Sequence, residues 1–423
     1  MNRRTFIKNT AGLSAYAAFV SGLYTSEAFG DNAKRQNKLV VNPYDNVDWS
    51  KAGQYKAALH THTIQSDGKH WVDEAVNSYR KAGYSIMAIT DHDTGSPNRH
   101  VAPSGNSSIP AEMASFYPRE PRPENFPANP TWPWTDYGCS SPENLDMVGI
   151  QANELTYEHH INSYFNNAGW NNNSNNPVDK DIKNWNDHEL HTVRDKGGLA
   201  LLCHPGWMNE SHRKPLEWYI ERFRKHPSEY LLGMEVTNND CFKNEPYDIG
   251  LWDQLLTRFM PKRPVWGFGN DDMHGLYVPR QTFNVFLLDE LTTDNVRKAM
   301  ESGQFVFCKS TRHIDYSKRN FKGLDTYPRI HKIAADTSKG TITIEAEDCD
   351  EIRWISAPKS FETTGDYVTS LRPWETGTVV HKGKTLDYLN TPGIKNYVRA
   401  ELHRKDGEHA QRTFTNPFGF SLS

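Results

Sequence analysis

Apolar residues in this chain come in short runs, and the residues able to do chemistry sit just after those runs end. Residues 55–59 read as a short buried strand. Trp71, Val72, Ala75, Val76, Tyr79 and Ala82 then recur at the spacing of one helix face, and Gly83 stops the run. Residues 84–90 read as a second buried strand. Strand, helix and strand, with polar residues after each strand, predict a parallel α/β layout, in which chemistry collects at the carboxyl ends of the strands. The grammar continues with strands over 147–150, 198–203, 231–236, 265–269, 283–288 and 305–307, and helices over 187–196 and 293–300. From about Tyr327 onward strands alternate without helices, at 341–345, 351–355 and 397–402. Turn residues between them predict a small sandwich-like all-β domain over 327–423 with a structural or docking role.

Two stretches break the periodicity. Ten prolines fall between Pro97 and Pro142, with Phe116, Tyr117, Trp132 and Trp134 among them, and an Asn-rich stretch runs from Asn166 to Asn176. Loops this long in a compact domain are functional or unstructured. The segments 95–143 and 165–186 therefore read either as lids over a site or as solvated insertions.

The strand ends carry the candidate chemistry. The first strand runs into Leu59-His60-Thr61-His62-Thr63-Ile64-Gln65-Ser66-Asp67-Gly68. Residues two apart in a strand point the same way, so His60 and His62 leave it together, as a metal ion requires. Asp67 can complete the site. Later runs deliver Asp91-His92-Asp93, Glu154 with His159-His160, His204-Pro205, and Asn270-Asp271-Asp272-Met273-His274. The set His60, His62, Asp67, His92, Glu154, His160, His204, Asp272 and His274 contains no Cys. Such ligands suit Zn, Mn or Fe, and a thiolate-free set argues against a purely structural zinc. The number of groups exceeds what one tetrahedral ion can use, so two to three divalent ions are expected, with one carboxylate bridging.

Composition adds an address and removes some partners. Asn2-Arg3-Arg4-Thr5-Phe6-Ile7-Lys8, a mildly apolar stretch from Ala11 to Tyr24, and Ser26-Glu27-Ala28 form a twin-arginine signal over 1–28. Export to the periplasm or beyond through that machinery is expected, with a polar tether over 29–54. Net charge is −4, which gives no electrostatic case for nucleic acid. No mature stretch reaches the ~18 apolar residues of a membrane span. The five cysteines (139, 203, 241, 308 and 349) lack Cys-x-x-Cys spacing. One or two disulfides are possible in an exported protein, and Cys203 reads as core packing.

His60-x-His62 with Asp67, Thr90-Asp91-His92, Glu154 with a His six residues on, His204-Pro205 and Asp272-x-His274 resemble, in the same chain order, the PHP (polymerase and histidinol phosphatase) superfamily. The resemblance spans 55–326 and implies a distorted seven-stranded (β/α) barrel with three metal ions at the strand carboxyl ends. It implies that His60, His62, Glu154 and Asp272 hold the first ion. Glu154, His160 and His204 would hold the second, and Asp67, His92 and His274 the third. His160 rather than His159, and Asp272 rather than Asp271, match the family spacing. The family has Ser where Asn270 stands. The twin-arginine start and Arg412-Thr-Phe-Thr-Asn-Pro417 after a β-rich tail resemble the exported carbaryl-hydrolase-like branch.

These readings make the expected protein an exported metal-dependent phosphoesterase that attacks a small ester with a metal-bound hydroxide. Catalysis is assigned to Glu154, Asp272 and His274. A carbamate or carboxyl-ester hydrolase with the same metals, and a non-catalytic binding protein, are the alternatives. Asp91 is expected to orient an imidazole. Most other histidines (70, 100, 188, 191 and 212) read as surface residues, and Arg99, Arg280 and Arg312 as solvated.

Overall fold

The computed structural model describes residues 37–93, 131–156, 158–169, 184–207, 213–238, 245–275, 281–310, 326–359, 374–406 and 409–422. The long proline-rich loop up to residue 130, most of the Asn-rich loop, the proposed signal, Arg99, Arg280, Arg312, His100, His212 and Cys241 lie outside the described residues. The fold is mixed α/β, built on one large sheet of fifteen strands with a separate three-stranded sheet beside it.

The first helix shows how local sequence makes an element. In α1 (Val72–Lys81), Val72, Ala75, Val76 and Tyr79 are all buried, so the 3.6-residue period becomes one buried face. Asp73 and Glu74 sit in its first turn, Arg80 and Lys81 in its last, each matching the helix dipole. The Trp71 amide donates to Glu74 Oε2 at 3.1 Å. Gly83, at φ +79°, turns the chain into the next strand.

Strands β2 (Gly53–Ala58), β3 (Tyr84–Ile89) and β4 (Val148–Leu155) pair in parallel. β6 (Leu199–Leu202), β7 (Leu231–Asn238) and β8 (Trp266–Asn270) form a second parallel block. Between the blocks lies β5 (Ile161–Tyr164), antiparallel to both β4 and β6. The expected parallel layout is interrupted here by one antiparallel strand. The link from Leu155 to Ile161 is far shorter than the roughly dozen residues of a parallel crossover, so the chain can only turn back. Every residue of β7 is buried, as suits a strand covered on both faces.

Helices α2 (Trp185–Asp195), α3 (Leu216–Lys225), α4 (Glu245–Phe259) and α5 (Thr293–Ser302) complete the layer over the sheet. The sequence reading passed over α3 and α4. On the other side of β2 lies β9 (Thr282–Leu288), antiparallel to it and to β10 (Phe305–Ser310). The strip from β9 to β8 has its two ends tied together. Asn284 on β9 donates from Nδ2 to Gly269 O at 2.8 Å and accepts from Gly269 N at 3.1 Å. Ala57, Leu59, Ile86, Ala88, Ile150, Leu199, Leu201, Phe268 and Phe286 from these strands bury one another in a common core.

Beyond β10 the described chain is all β. β11 (Arg329–Asp336), β12 (Thr341–Glu347) and β15 (Thr385–Asp387) form the small sheet. β13 (Glu351–Ser356), β14 (Thr378–Lys382), β16 (Tyr397–Asp406), β17 (His409–Thr415) and β18 (Phe418–Leu422) extend the large one through the β10–β17 pairing. Residues 37–423 accordingly form one compact unit. The segment expected as a tether is, from Asn37 on, part of it. β1 (Asn37–Val41) pairs with β18, and the Tyr44 hydroxyl donates to Phe305 O at 3.1 Å and accepts from Asn416 N at 2.8 Å. Polar composition misled there because the short apolar run Leu39-Val40-Val41 stands between polar flanks.

A buried ionic clamp holds the all-β part to the helical layer. Arg399 on β16 makes two parallel 2.8 Å bonds to Asp253 on α4 and a 2.6 Å bond to Glu401. Burial penalises the Glu401 carboxylate, but Arg399, with His403 and Arg412, outweighs burial and holds its pKa well below the ordinary value. Stability from that depression is present above the unfolded pKa of about 4.3 and is lost as pH falls below it. Arg399→Leu strands two buried carboxylates and is expected to cost about 3–5 kcal/mol in urea unfolding at neutral pH. The deficit should shrink as the pH is lowered below about 4. An equal deficit at both pH values would contradict this account.

Candidate metal centre

All nine residues expected from the sequence meet at one rim of the strip. His60 and His62 follow β2, His92 follows β3, Glu154 ends β4, His160 precedes β5 and His204 follows β6. Asp272 and His274 lie between β8 and β9. Backbone bonds lock these positions together. A parallel bridge continues the β3–β4 pairing to His92 and Glu154, and the amide of Asp93 donates to Glu154 O at 3.0 Å. The His62 amide donates to Met273 O at 2.8 Å and Lys69 N to His274 O at 2.9 Å, tying the first motif to the last. Gly68 makes the turn after Asp67 feasible, since a Cβ there would lie 2.5 Å from His62 O.

The side chains converge on each other's lone pairs. His60 Nε2, His62 Nε2 and Asp272 Oδ1 form a triangle with all three edges 3.1 Å. Glu154 closes it, with Oε1 3.4 Å from His60 Nε2 and Oε2 3.3 Å from His62 Nε2. Ligands about 2.1 Å from a common ion stand roughly 3.0–3.4 Å apart, so these edges are those of a coordination shell. The Glu154 oxygens divide the remaining imidazoles. Oε1 faces His160 Nδ1 at 2.9 Å and His204 Nε2 at 3.0 Å, and Oε2 faces His92 Nδ1 at 2.9 Å. A third group gathers on Asp67, whose Oδ2 lies 3.3 Å from His92 Nε2 and whose Oδ1 lies 3.1 Å from His274 Nε2. His62 joins that group through Nδ1, 3.5 Å from Asp67.

The test of fit is in the orphaned atoms. Glu154 Oε2, Asp272 Oδ1 and His92 Nδ1 are buried and make no hydrogen bond of good geometry, although partners stand close by. Buried polar atoms left this way are costly, and a cation among them would satisfy all three. The donor set fits divalent metal.

Electrostatics agree. Burial works against a charge on His60, yet Asp272, Glu235 and Glu154 outweigh it and raise its pKa well above the ordinary value. Carboxylates likewise raise His92, His204 and His274 against burial, the last to about 9. For His160, burial wins and the pKa falls. Glu154 and Asp272, penalised by burial, are held low by the surrounding imidazoles. Apart from His160, these histidines and carboxylates thus shift in the directions that favour charge on both. Exposure is graded: the Asp67, His274 and His92 side chains are 34%, 25% and 17% exposed, against at most 1% for His60, His62 and Glu154. The third group forms the mouth.

Geometry also decides the adjacent pairs. His159 bonds Tyr219 OH and His160 O and stacks on Trp218, so it is packing. Asp271 accepts from Tyr79 OH, Gln281 N and Thr282 N, away from the cluster. Asp91 does not touch an imidazole directly. It accepts from Thr63 N and Oγ1, Ser66 Oγ and Thr131 Oγ1, and Ser66 Oγ in turn stands 3.2 Å from His62 Nδ1. The Thr131 bond brings the end of the first long loop onto the site, and Trp134 beyond it is fully buried. Contrary to the surface reading, His70 is buried, and burial pushes its pKa down to about 4. Cys139, Cys203, Cys308 and Cys349 are unpaired, so no disulfide occurs among the described residues.

Glu235 was missed. It lies inside β7 with no exposure, bonded to His60 Nδ1 at 2.7 Å. The available signal was one acidic residue in an otherwise apolar strand, since a buried carboxylate needs partners.

No protein-family model and no curated protein matches the chain. Among solved structures the chain is similar to a two-domain protein from Bacteroides vulgatus containing a predicted PHP-like metal-dependent phosphoesterase. That similarity has a TM-score of 0.45 at 14% identity, covering 88% of this chain and 95% of that one. It is also similar to a candidate metal-dependent phosphoesterase from Bifidobacterium adolescentis, with TM-score 0.32, 15% identity and coverages of 58% and 96%. PsfC from Pseudomonas syringae aligns with TM-score 0.36, 11% identity and coverages of 60% and 91%.

Metal ligands must be deprotonated, so loading displaces the protons that raised pKa values place on His60, His92, His204 and His274. Zinc or manganese added to metal-free protein in weak buffer should release protons at neutral pH. Apparent affinity should climb as pH rises toward the value of about 9 for His274. A flat affinity profile across that range would contradict the arrangement.

Proposed function

We propose that this protein is an exported, metal-dependent phosphoesterase with a multinuclear centre, formed on a PHP-type barrel over 55–326 with an all-β region after it. One observation carries the reading: the 3.1 Å triangle of His60, His62 and Asp272 closed by Glu154, whose two oxygens divide the other imidazoles between them. The first ion is assigned to His60, His62, Glu154 and Asp272, the second to Glu154, His160 and His204, and the third to Asp67, His92 and His274. Bound divalent ions supply Lewis acidity toward an ester's oxygens and lower the pKa of water.

The chain's own part is positional. Glu154 links all three groups, because Oε1 faces His60 of the first and His160 and His204 of the second, while Oε2 faces His62 of the first and His92 of the third. His60, His62 and Glu154 exclude water from the deep side, which strengthens every charge interaction there. Asp67, His92 and His274 present the exposed side, where an anionic ester would meet the cluster. Asp91 and Ser66 stiffen the loop that carries His62 and Asp67. Support for phosphate comes from the sequence resemblance. The export route and periplasmic location rest on the twin-arginine pattern in the first 28 residues.

A second reading, a carbamate or carboxyl-ester hydrolase at the same centre, is favoured by Trp207. Its half-buried indole lies 5.5 Å from the His160 ring and 5.4 Å from the His204 ring, a surface suited to a neutral aryl group. The likeness of both termini to the carbaryl-hydrolase-like branch points the same way.

Purified mature protein should carry two or three metals per chain and cleave an aryl phosphate faster than the matching aryl carboxyl ester. Glu154→Ala should lose more activity than the roughly 10–100-fold typical of removing a ligand's hydrogen-bond partner, and should lose bound metal with it. Ester cleavage alone, with the same metal dependence, would establish the second reading, and one metal or none would end the multinuclear one.

A further inference from the structure

We infer that Glu235 is a positioning residue that sets two candidate ligands at once, by choosing which nitrogen of His60 faces the cluster and by anchoring the backbone of His204. The inference rests on the metal-centre reading above. Glu235 sits in β7, a strand buried along its whole length, where an ionised carboxylate is expensive unless every lone pair is used. They are used. Oε1 accepts from His60 Nδ1 at 2.7 Å and from Asn270 Nδ2 at 2.8 Å. Oε2 accepts from His204 N at 2.8 Å and from Asn238 Nδ2 at 2.8 Å.

An ionised carboxylate can only accept, so His60 Nδ1 must keep a proton, and when His60 gives up its other proton to bind metal it is Nε2 that is left with the lone pair. That Nε2 is the atom in the 3.1 Å triangle with His62 and Asp272. The other oxygen acts on a backbone. His204 stands at φ +23°, a left-handed value that a non-glycine residue holds only when its surroundings insist. Its amide is pinned by Glu235, and its Nε2 faces Glu154 Oε1 at 3.0 Å. One carboxylate therefore orients a ligand of the first ion and a ligand of the second. Asn270 has the reach to bond Glu235, and its own Oδ1 accepts from Asn284 Nδ2 at 3.1 Å, linking this control to the residue that ties β8 to β9.

Glu235→Gln keeps the shape but places an amide N–H₂ against donors that a carboxylate oxygen had served. Zinc binding to metal-free wild type and to this variant is measured stepwise by calorimetry against a competing chelator, alongside thermal unfolding of both. The expected result is a loss of about 10–100-fold in affinity for two of the binding steps. A variant that unfolds at lower temperature yet binds zinc as wild type does would overturn the inference, because a merely structural carboxylate would behave that way. A second measurement needs no variant. In zinc-loaded wild type, ¹⁵N NMR should show His60 protonated at Nδ1 and metal-bound at Nε2; binding through Nδ1 would overturn the inference. Wild-type protein that takes up no zinc, manganese or iron would instead refute the metal centre itself, and Glu235's role with it.

Discussion

The carboxylate of Glu154 is the constraint on which this structure turns. It is buried and ionised, with His60, His160 and His204 about one oxygen and His62 and His92 about the other. Five imidazoles crowded together would repel if charged and would leave nitrogens unsatisfied if neutral. The carboxylate at their centre removes the first problem and shares in solving the second. A buried charge of this kind is tolerable only where its partners are held to within tenths of an ångström, and the sheet supplies that accuracy.

The sheet does so through register. Parallel strands end together on one rim, so β2, β3, β4 and β6 place the residues that follow or close them side by side. β5 runs the other way, and the rim therefore receives the residue before the strand, His160, rather than one after it. The same logic applies to the link between β8 and β9, where Asp272 and His274 arrive before an antiparallel strand. Asp272, at φ +51°, and His204, at φ +23°, are both in the left-handed region. Strain of order 1–3 kcal/mol at such positions is carried by the rigid frame beneath them and aims the side chains inward.

Around this centre stand residues that hold rather than bind. Glu235 satisfies four donors, and Asp91 satisfies the turn between His62 and Asp67 through Thr63 and Ser66. Both are acidic, fully buried and bonded on both oxygens. Glu235 adds to Asp272 and Glu154 in raising the pKa of His60 and His204, whereas His92 and His274 are raised by Glu154, Asp67 and Asp272. Farther out, the Asp253–Arg399–Glu401 clamp uses the same device to join α4 to β16, with no link to the chemistry.

Much of this was legible along the chain. Short apolar runs marked β3, β7 and β9, and a 3.6-residue apolar period marked α1, each within a residue or two, because the strands are covered on both faces and the helix on one. His60-x-His62 and the histidines and carboxylates recurring at later strand ends made a metal centre the expectation, and the resemblance to the PHP superfamily selected His160 and Asp272 within their adjacent pairs. What the sequence could not express were relations between distant segments. The turn-back of β5 depends on a short link and on free edges of β4 and β6. The packing of residues 37–49 depends on β18, nearly four hundred residues away. Glu235 became intelligible only once β7 was seen beside His60 and His204, since a carboxylate in an apolar run has no meaning until its donors are known. Residue type and local period therefore determined which chemistry was available and where the elements begin. Tertiary structure decided which of two adjacent residues faces the site, which atom each presents and what holds it there, because those depend on distances that no local pattern encodes.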